Sequence, residues 1–561
     1  MTDTIQDRRR KRAMTDPTPK DPTKENGSVP QPSPPAPLPE GEGRTAETSL
    51  RTAPEIDRRE LLKAAAFAGV GIAGALGSLG TFACVSRRGS PKNALAEENT
   101  RPGTTDWLLT DTRVDPASRY RCPSIEGYAS ATSVAAGETI RFFVSTEPAS
   151  PFRLDLYRMG YYGGSGGRRV ASLGPFSGKS QRVPDLGPDR RRDCAWEASA
   201  ELALPADWPS GVYLGKLTAE RGGVQSYVVF IVRDERPCHV LFQCSDSTWA
   251  AYNRWPRDGS LYDDGKKEWY WGPNVQAGWD RPYGRYCQIV DAPLSQGSGE
   301  FLLWEFPLAF WLEKEGYDVS YVGNVDVHRR GETLRRAKIF LSVGHDEYWS
   351  QEMFDHVGAA RDAGVDLAFL SGNTCYGLVD FHPNGAGTPE RAIRRIGQFG
   401  PIEPKNALDF PEILTLPNHG PDESLLVGAR SGYPVTGGAD WICAAENHWL
   451  FAGAGMKNGD RIPGLVGWEW HGTPAPIPGL EVVAAGRIRR GREAGRYTAT
   501  VYPGPKGNFV FNAATIWWAD GLSEPPGYVR PGLPHVRPKG PNPRVQKITA
   551  NLLARSLERA G

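Results

Sequence analysis

The stretch Lys338-Ile339-Phe340-Leu341-Ser342-Val343-Gly344-His345-Asp346-Glu347-Tyr348-Trp349-Ser350 decides the fold. Its first six residues are a nearly unbroken apolar run, the pattern of a parallel strand covered on both faces. Ser350 is placed as a helix N-cap, with Glu352 in the first turn and Met353, Phe354, Val357 and Ala360 along one helical face. An imidazole and two carboxylates stand between strand and helix. Open α/β sheets bind ligands at the carboxyl ends of their strands, where loops are free of core packing. His345 and Glu347 are therefore candidate site residues.

Outward from this stretch the same alternation repeats. His239-Val240-Leu241-Phe242 opens a strand, Leu303, Phe306 and Phe310 mark a helix, and Val319-Ser320-Tyr321-Val322 is another strand. Val365-Asp366-Leu367-Ala368-Phe369-Leu370 follows the Ser350 helix, so a three-layer α/β domain is predicted over 237–525. Its later part, with Val482-Val483 and Phe509-Val510-Phe511-Asn512, reads as more antiparallel. Residues 105–235 differ: Ile140, Phe142 and Val144 alternate, as do Phe152, Leu154 and Leu156, and Tyr213, Gly215 and Leu217. With Gly/Pro/Asp-rich turns between them, these runs predict an immunoglobulin-like β-sandwich. Tyr161-Tyr162-Gly163-Gly164 lacks the strand–loop–helix context of a phosphate cradle and reads as a loop. Residues 526–561 form a Pro/Gly-rich extension and a closing amphipathic helix with Ile548, Leu552 and Leu553.

A chain of 561 residues exceeds one ordinary core, so the expectation is multidomain β plus α/β. Lys+Arg 66 against Asp+Glu 65 leaves a charge of +1, which argues against a general nucleic-acid binder. Residues 1–55, rich in Pro, Thr, Glu, Lys and Arg, are read as disordered. Asp57-Arg58-Arg59-Glu60-Leu61-Leu62-Lys63, followed by an Ala/Gly-rich run, makes 56–96 resemble a twin-arginine export signal with Ala94-Leu95-Ala96 as its cleavage site. The alternative is a membrane anchor formed by residues 64–83. The expected location is periplasmic or extracellular, with membrane contact only through this segment. None of the eight cysteines has zinc-finger spacing. Cys122 and Cys194 fall together in the sandwich region, where an exported protein could bridge them.

Three patches of the α/β region combine polar groups with aromatic shielding. One runs from Ser247 through Tyr252-Asn253-Arg254-Trp255 to Ser260-Leu261-Tyr262; the second is 344–350; the third is Gly467-Trp468-Glu469-Trp470-His471. Flanking indoles would exclude water from Glu469 and raise its pKa. Asp280-Arg281-Pro282-Tyr283 lies between the first two. Taken singly, each patch has a packing explanation, since buried aromatics anchor cores and strand-end carboxylates cap helices. Together they are better evidence for a site than any one alone. His239 reads as a core histidine and His356 as structural.

These patches, with Ile125-Glu126-Gly127-Tyr128, Tyr157-Arg158-Met159-Gly160-Tyr161-Tyr162-Gly163-Gly164, Trp208-Pro209-Ser210-Gly211-Val212-Tyr213, Ser371-Gly372-Asn373-Thr374 and Phe511-Asn512-Ala513-Ala514-Thr515-Ile516, carry a resemblance. From about residue 120 onward the chain resembles the large, catalytic subunit of N,N-dimethylformamidase and its relatives. That family has an immunoglobulin-like domain before a glutamine-amidotransferase-like α/β domain. The resemblance implies a mononuclear ferric iron held by two tyrosinates and one glutamate, with a histidine and a second glutamate alongside. Carried over, Glu347 is the carboxylate ligand and His345 its neighbour. Tyr252 is one tyrosine, Tyr283 the other with Tyr262 as the alternative, and Glu469 the second glutamate. The implied partners are a small amide substrate and a small companion subunit or second copy of the chain. Residues 255–259, 373–377 and 471 depart from the family's usual pattern around the pocket.

Phenolate and carboxylate are hard oxygen donors that suit ferric iron. The expected function is thus an exported, iron-dependent hydrolase of C–N bonds in small linear amides, with Glu469 and His345 handling protons. Two other classes compete: an extracellular ligand-binding or surface protein without turnover, and a metal-independent glycoside-processing enzyme using Glu347 and Glu469. The turn after residue 343 carries no cysteine nucleophile, and Cys375 lies too far along to supply one.

Overall fold

Four segments predicted to be parallel strands line up as neighbours: β1 (Cys238–Cys244), β2 (Val319–Gly323), β3 (Ala337–His345) and β4 (Asp366–Gly372). Downstream come β5 (Gly437–Ile442), β6 (Arg461–Trp468), β7 (Glu481–Arg490), β8 (Glu493–Pro503) and β9 (Phe509–Asn512). The nine form one sheet in the order β2-β1-β3-β4-β9-β8-β7-β5-β6. The pairs from β2 to β9 are parallel, and from β9 to β6 antiparallel. Phe509–Asn512 is therefore not simply antiparallel: it joins the two halves, parallel to β4 and antiparallel to β8.

The computed structural model describes residues 93–285, 296–528 and 540–559. Residues 1–55 and nearly all of the expected leader lie outside them. Among the described residues, no helix is long and apolar enough to cross a membrane. Ala94-Leu95-Ala96 sits in a short helix, Ala94–Glu98, capped by Asn93, with Leu95 buried and Glu98 paired to Arg168.

Alternate residues of the parallel strands enter two cores, as the period of a strand requires. Val240, Phe242, Ile339, Leu341 and Val343 pack with helices α2 (Phe306–Lys314) and α4 (Pro543–Glu558). Leu241, Phe340, Leu367 and Phe369 pack against helix α3 (Gln351–Ala363) through Met353, Val357 and Ala360. Ser350 Oγ caps α3 by accepting from Met353 N at 3.2 Å. The closing helix α4 thus belongs to the layered body, and His239 Nε2 meets its Ser556 Oγ at 2.8 Å.

Ahead of this body, a three-stranded and a five-stranded sheet face each other. Ile140, Phe142 and Val144 from one meet Phe152, Leu154, Leu156, Tyr213 and Phe230 from the other. The opposite faces of the same strands, at Tyr157, Met159, Leu214 and Ile231, join the core of the large sheet. At that junction Arg158 grips Glu313 of α2 with two hydrogen bonds of 3.0 and 2.8 Å, both side chains fully buried. The Cys122–Cys194 bridge that an exported protein could form is not made. Both thiols are free, Cys122 in the sandwich core and Cys194 against Tyr128, Trp196 and Trp255.

Candidate metal centre

In the order β2-β1-β3 the sheet reverses direction of growth between β1 and β3, which is where such sheets open a ligand crevice. Helix α1 (Asp246–Tyr252) leaves the end of β1 and delivers Tyr252. The end of β3 delivers His345 and Glu347. Gly344, at φ +67°, makes that exit possible: a Cβ there would lie 2.6 Å from Trp304 Cβ. Asp346 anchors the turn on its other side, accepting from Ser342 Oγ at 2.8 Å, Asn324 Nδ2 at 3.0 Å and Gln243 Nε2 at 2.5 Å. Glu347 N donates to Thr248 Oγ1 at 3.0 Å. Glu469 arrives just after β6, and Gly372 admits it, since a Cβ there would lie 2.3 Å from the Glu469 carbonyl oxygen.

The side chains converge. Tyr252 OH donates to Glu347 Oε2 at 2.7 Å; Tyr262 OH lies 2.6 Å from Tyr252 OH and 3.2 Å from both Glu347 oxygens. His345 Nε2 is 3.3 Å from Glu347 Oε2 and in ion-pair contact with Glu469 Oε2. Ligand atoms of His345, Glu347 and Glu469 all lie within 4.8 Å of one another, a possible three-residue metal site. All five residues are buried.

Of the two candidates for the second tyrosine, Tyr262 makes hydrogen bonds to Tyr252 and Glu347. Tyr283 instead sets its ring against Trp249, 6.5 Å between centroids, and lines a different small cavity with Tyr128, Asp246 and Arg391. The Asp280-Arg281-Pro282-Tyr283 turn is committed elsewhere: Arg281 donates to the carbonyls of Asn253 and Trp255. His356 Nδ1 meets Val327 O at 2.8 Å, away from the cluster.

Two groups unassigned from sequence complete the site. Tyr348 OH donates to Tyr262 OH at 2.5 Å, and buried Arg395 donates to Tyr348 OH at 2.7 Å while lying 4.0 Å over the Trp271 ring. Arg395 comes from the strand Ala392–Phe399 of a second, smaller sheet that also contains Tyr348-Trp349. Its signal was parity: it shares the inward face of Ile393, whereas Arg394 does not. His471, next to the pocket, accepts from Thr374 N at 3.1 Å, meets Asn512 Oδ1 at 2.8 Å, and is pushed down to about 4 by burial.

Burial and the Glu347 charge hold both phenols, Tyr252 and Tyr262, well above the ordinary tyrosine range. Burial opposes a charge on His345, but the adjacent Glu469 and Glu347 carboxylates outweigh it and raise its pKa. Burial also raises Glu469, against the pull of His345. His345 Nε2 and Glu469 Oε2, although in contact, are not aligned as a hydrogen bond, and His345 Nδ1 also lacks a hydrogen-bond partner. The hard oxygens of the cluster and the His345 ring therefore share one small space, which a cation beside the carboxylates would fill.

A cavity of about 400 Å³ opens onto Tyr252, Tyr262, Glu347 and Glu469. Four of its lining residues, Trp269, Asn373, Thr436 and Trp468, hold positive φ angles of 54 to 63°. Such conformations cost about 1–3 kcal/mol each for non-glycine residues and cluster at functional sites. Their concentration around one cavity marks it as the candidate pocket.

A curated relative, the N,N-dimethylformamidase beta subunit of Alcaligenes sp., is 24% identical over 230 residues, covering 34% of this chain. The chain spans 29% of that relative's length. Among solved structures, a cycloisomaltooligosaccharide glucanotransferase of Paenibacillus sp. aligns at 9% identity and TM-score 0.15, over 47% of this chain and 57% of that one. A family 123 glycoside hydrolase from Clostridium perfringens aligns at 11% identity and TM-score 0.11, over 52% and 54%. Residues 153–530, well over half of the chain, match the family described as N,N-dimethylformamidase beta subunit-like, C-terminal, and the chain belongs to that family.

Proposed function

We propose that this protein is an iron-dependent hydrolase of amide C–N bonds, with Tyr252, Tyr262 and Glu347 as metal ligands and His345 and Glu469 as its proton-handling groups. The observation that carries the proposal is the convergence of two phenols, two carboxylates and an imidazole, all buried, at the strand-order reversal. A ferric ion held there would supply Lewis acidity toward an amide carbonyl and would favour the ionised phenols. Glu469, with its carboxylate against His345 and exposed to the pocket, is positioned to take a proton from an attacking water and return it to the departing nitrogen. His345, held between Glu469 and Glu347, orients that exchange. Arg395 acts through Tyr348 on Tyr262, favouring its anionic form.

In the same proposal, the sandwich is immunoglobulin-like and the layered body glutamine-amidotransferase-like. Residues 56–96 direct export, and a companion chain completes the assembly, as the name of the Alcaligenes relative, a beta subunit, suggests for that protein. Purified wild type should contain about one iron per chain by elemental analysis and release amine from simple amides, and Glu347→Ala should lose both. Wild type without iron after iron-replete expression would sink the metal assignment. Bound iron without amine release from any amide would assign the pocket to ligand binding.

A further inference from the structure

The cavity above the cluster is larger than a simple formamide needs. Its 400 Å³ would hold roughly a dozen waters at about 30 Å³ each, a volume typical of sites for drug-sized ligands. A dialkylformamide would fill only the inner end, against Tyr252, Tyr262, Glu347 and Glu469. Beyond them the lining includes six aromatic side chains: Trp269, Trp271, Tyr376, Phe410, Tyr433 and Trp468.

These rings are held in place. Trp271 has Arg395 on its face and the edge of Tyr376 at 5.3 Å. Tyr376 OH accepts from Asn406 Nδ2 at 2.5 Å, and Trp269 meets Tyr262 edge-on at 5.4 Å. Trp269 and Trp468 keep left-handed backbone conformations that present them here. Trp269 is 39% exposed, so its indole forms part of the rim. The charged lining consists of carboxylates alone, Glu347, Glu403 and Glu469. Lys405 and Arg490, which stack on Tyr433, are paired with Asp409 and Glu493. A preformed aromatic box with acidic lining accepts a planar apolar ring through offset or edge contacts and repels an anion.

We propose that the substrates of this site are amides carrying an aromatic ring and no negative charge, the ring lodging in the outer aromatic box while the amide lies on the cluster. The proposal rests on the hydrolase reading above. In the reaction, water adds its hydroxyl to the acyl carbon, the C–N bond breaks, and the water's proton passes to nitrogen, giving a carboxylic acid and an amine.

The test compares N,N-dimethylacetamide with N,N-dimethyl-2-phenylacetamide, which release the same dimethylamine and differ in a ring remote from the reacting bond. The expected kcat/KM is at least tenfold higher for the phenyl compound, and a para-carboxylate on the ring should abolish that advantage. Phe410→Ala and Trp269→Ala should each narrow the ratio between the two amides. Equal kcat/KM values, or preference for the smaller amide, would overturn the proposal and leave the hydrolase reading intact. Calorimetric binding of both compounds supplies a readout independent of turnover. Tenfold tighter binding of the phenyl compound without amine release would support the ring-binding box and refute hydrolysis, whereas equal binding without release would refute both.

Discussion

Replacing Arg158 with Met should expose how the sandwich is fixed to the layered body. Arg158 makes two hydrogen bonds to Glu313, two to Ser210 O at 3.3 and 2.8 Å, and one to Tyr162 OH at 3.0 Å, and it is wholly buried. Glu313 also accepts from Tyr321 OH at 2.9 Å and Asn99 Nδ2 at 2.8 Å. Without Arg158 these neutral donors remain, but the carboxylate loses its countercharge at a fully buried site. Breaking one partner out of a buried pair costs about 3–5 kcal/mol, a large share of the roughly 5–15 kcal/mol that holds a typical protein folded. Glu313→Leu should cost a similar amount by stranding the guanidinium. The double variant should cost less than the sum of the singles by about 2 kcal/mol or more, because neither charge is then left alone. Urea unfolding of the four proteins, followed by tryptophan fluorescence, gives the cycle. If the two effects add to within about 0.5 kcal/mol, the pair is not coupled and the reasoning fails.

Tyr262→Phe should reduce bound iron far more than Tyr283→Phe, read by elemental analysis; the reverse ranking would restore Tyr283 as the ligand. Arg395→Met should weaken iron binding about 10- to 100-fold in chelator competition, the usual effect of losing a group that supports a ligand from behind; unchanged affinity would show that the Tyr348 contact carries nothing to Tyr262. His239 is pushed down by burial to about 4 from an ordinary value of 6.5, so the unfolded chain takes up a proton first as pH falls. Its contribution, roughly 3 kcal/mol, is present above pH 6.5 and is lost toward pH 4. The slope of unfolding free energy against pH in that window should flatten in His239→Gln, and an identical slope would exclude His239 as a source. Gly344→Ala should abolish both iron binding and activity, since the added methyl meets Trp304 and the turn needs a positive φ; wild-type iron content would show that the turn tolerates a side chain.

Much of this arrangement is legible without coordinates because it depends on local grammar. The apolar run at 338–343 with Ser350 behind it specifies strand, turn and helix. The strand end locates His345 and Glu347, and the Trp-flanked Glu469 stands out from its surroundings. Choosing between Tyr262 and Tyr283 was a different problem. Both lie in irregular segments after α1, where no periodicity says which way a ring points, and only packing against Tyr252 or Trp249 separates them. Arg395 is hidden for a related reason: a buried arginine in an alternating strand looks like its half-buried neighbour Arg394 until the sheet beneath it is known. A Cys122–Cys194 bridge, open from the sequence, is not made because cysteines of one sequence region can still enter separate cores, as these two do.

Glu469 reaches the cluster from the antiparallel half of the large sheet, whereas Tyr252 and Glu347, themselves 95 residues apart, come from the parallel half. Strand β9, near the end of the chain, is the splice between those halves. During synthesis the complete site therefore cannot exist until nearly the whole polypeptide has emerged and the splice has closed. The proposed metal ligands, all from before residue 348, can meet ahead of that closure, and a chain interrupted between residues 373 and 509 would hold Tyr252, Tyr262 and Glu347 without the sheet half that brings Glu469 to them.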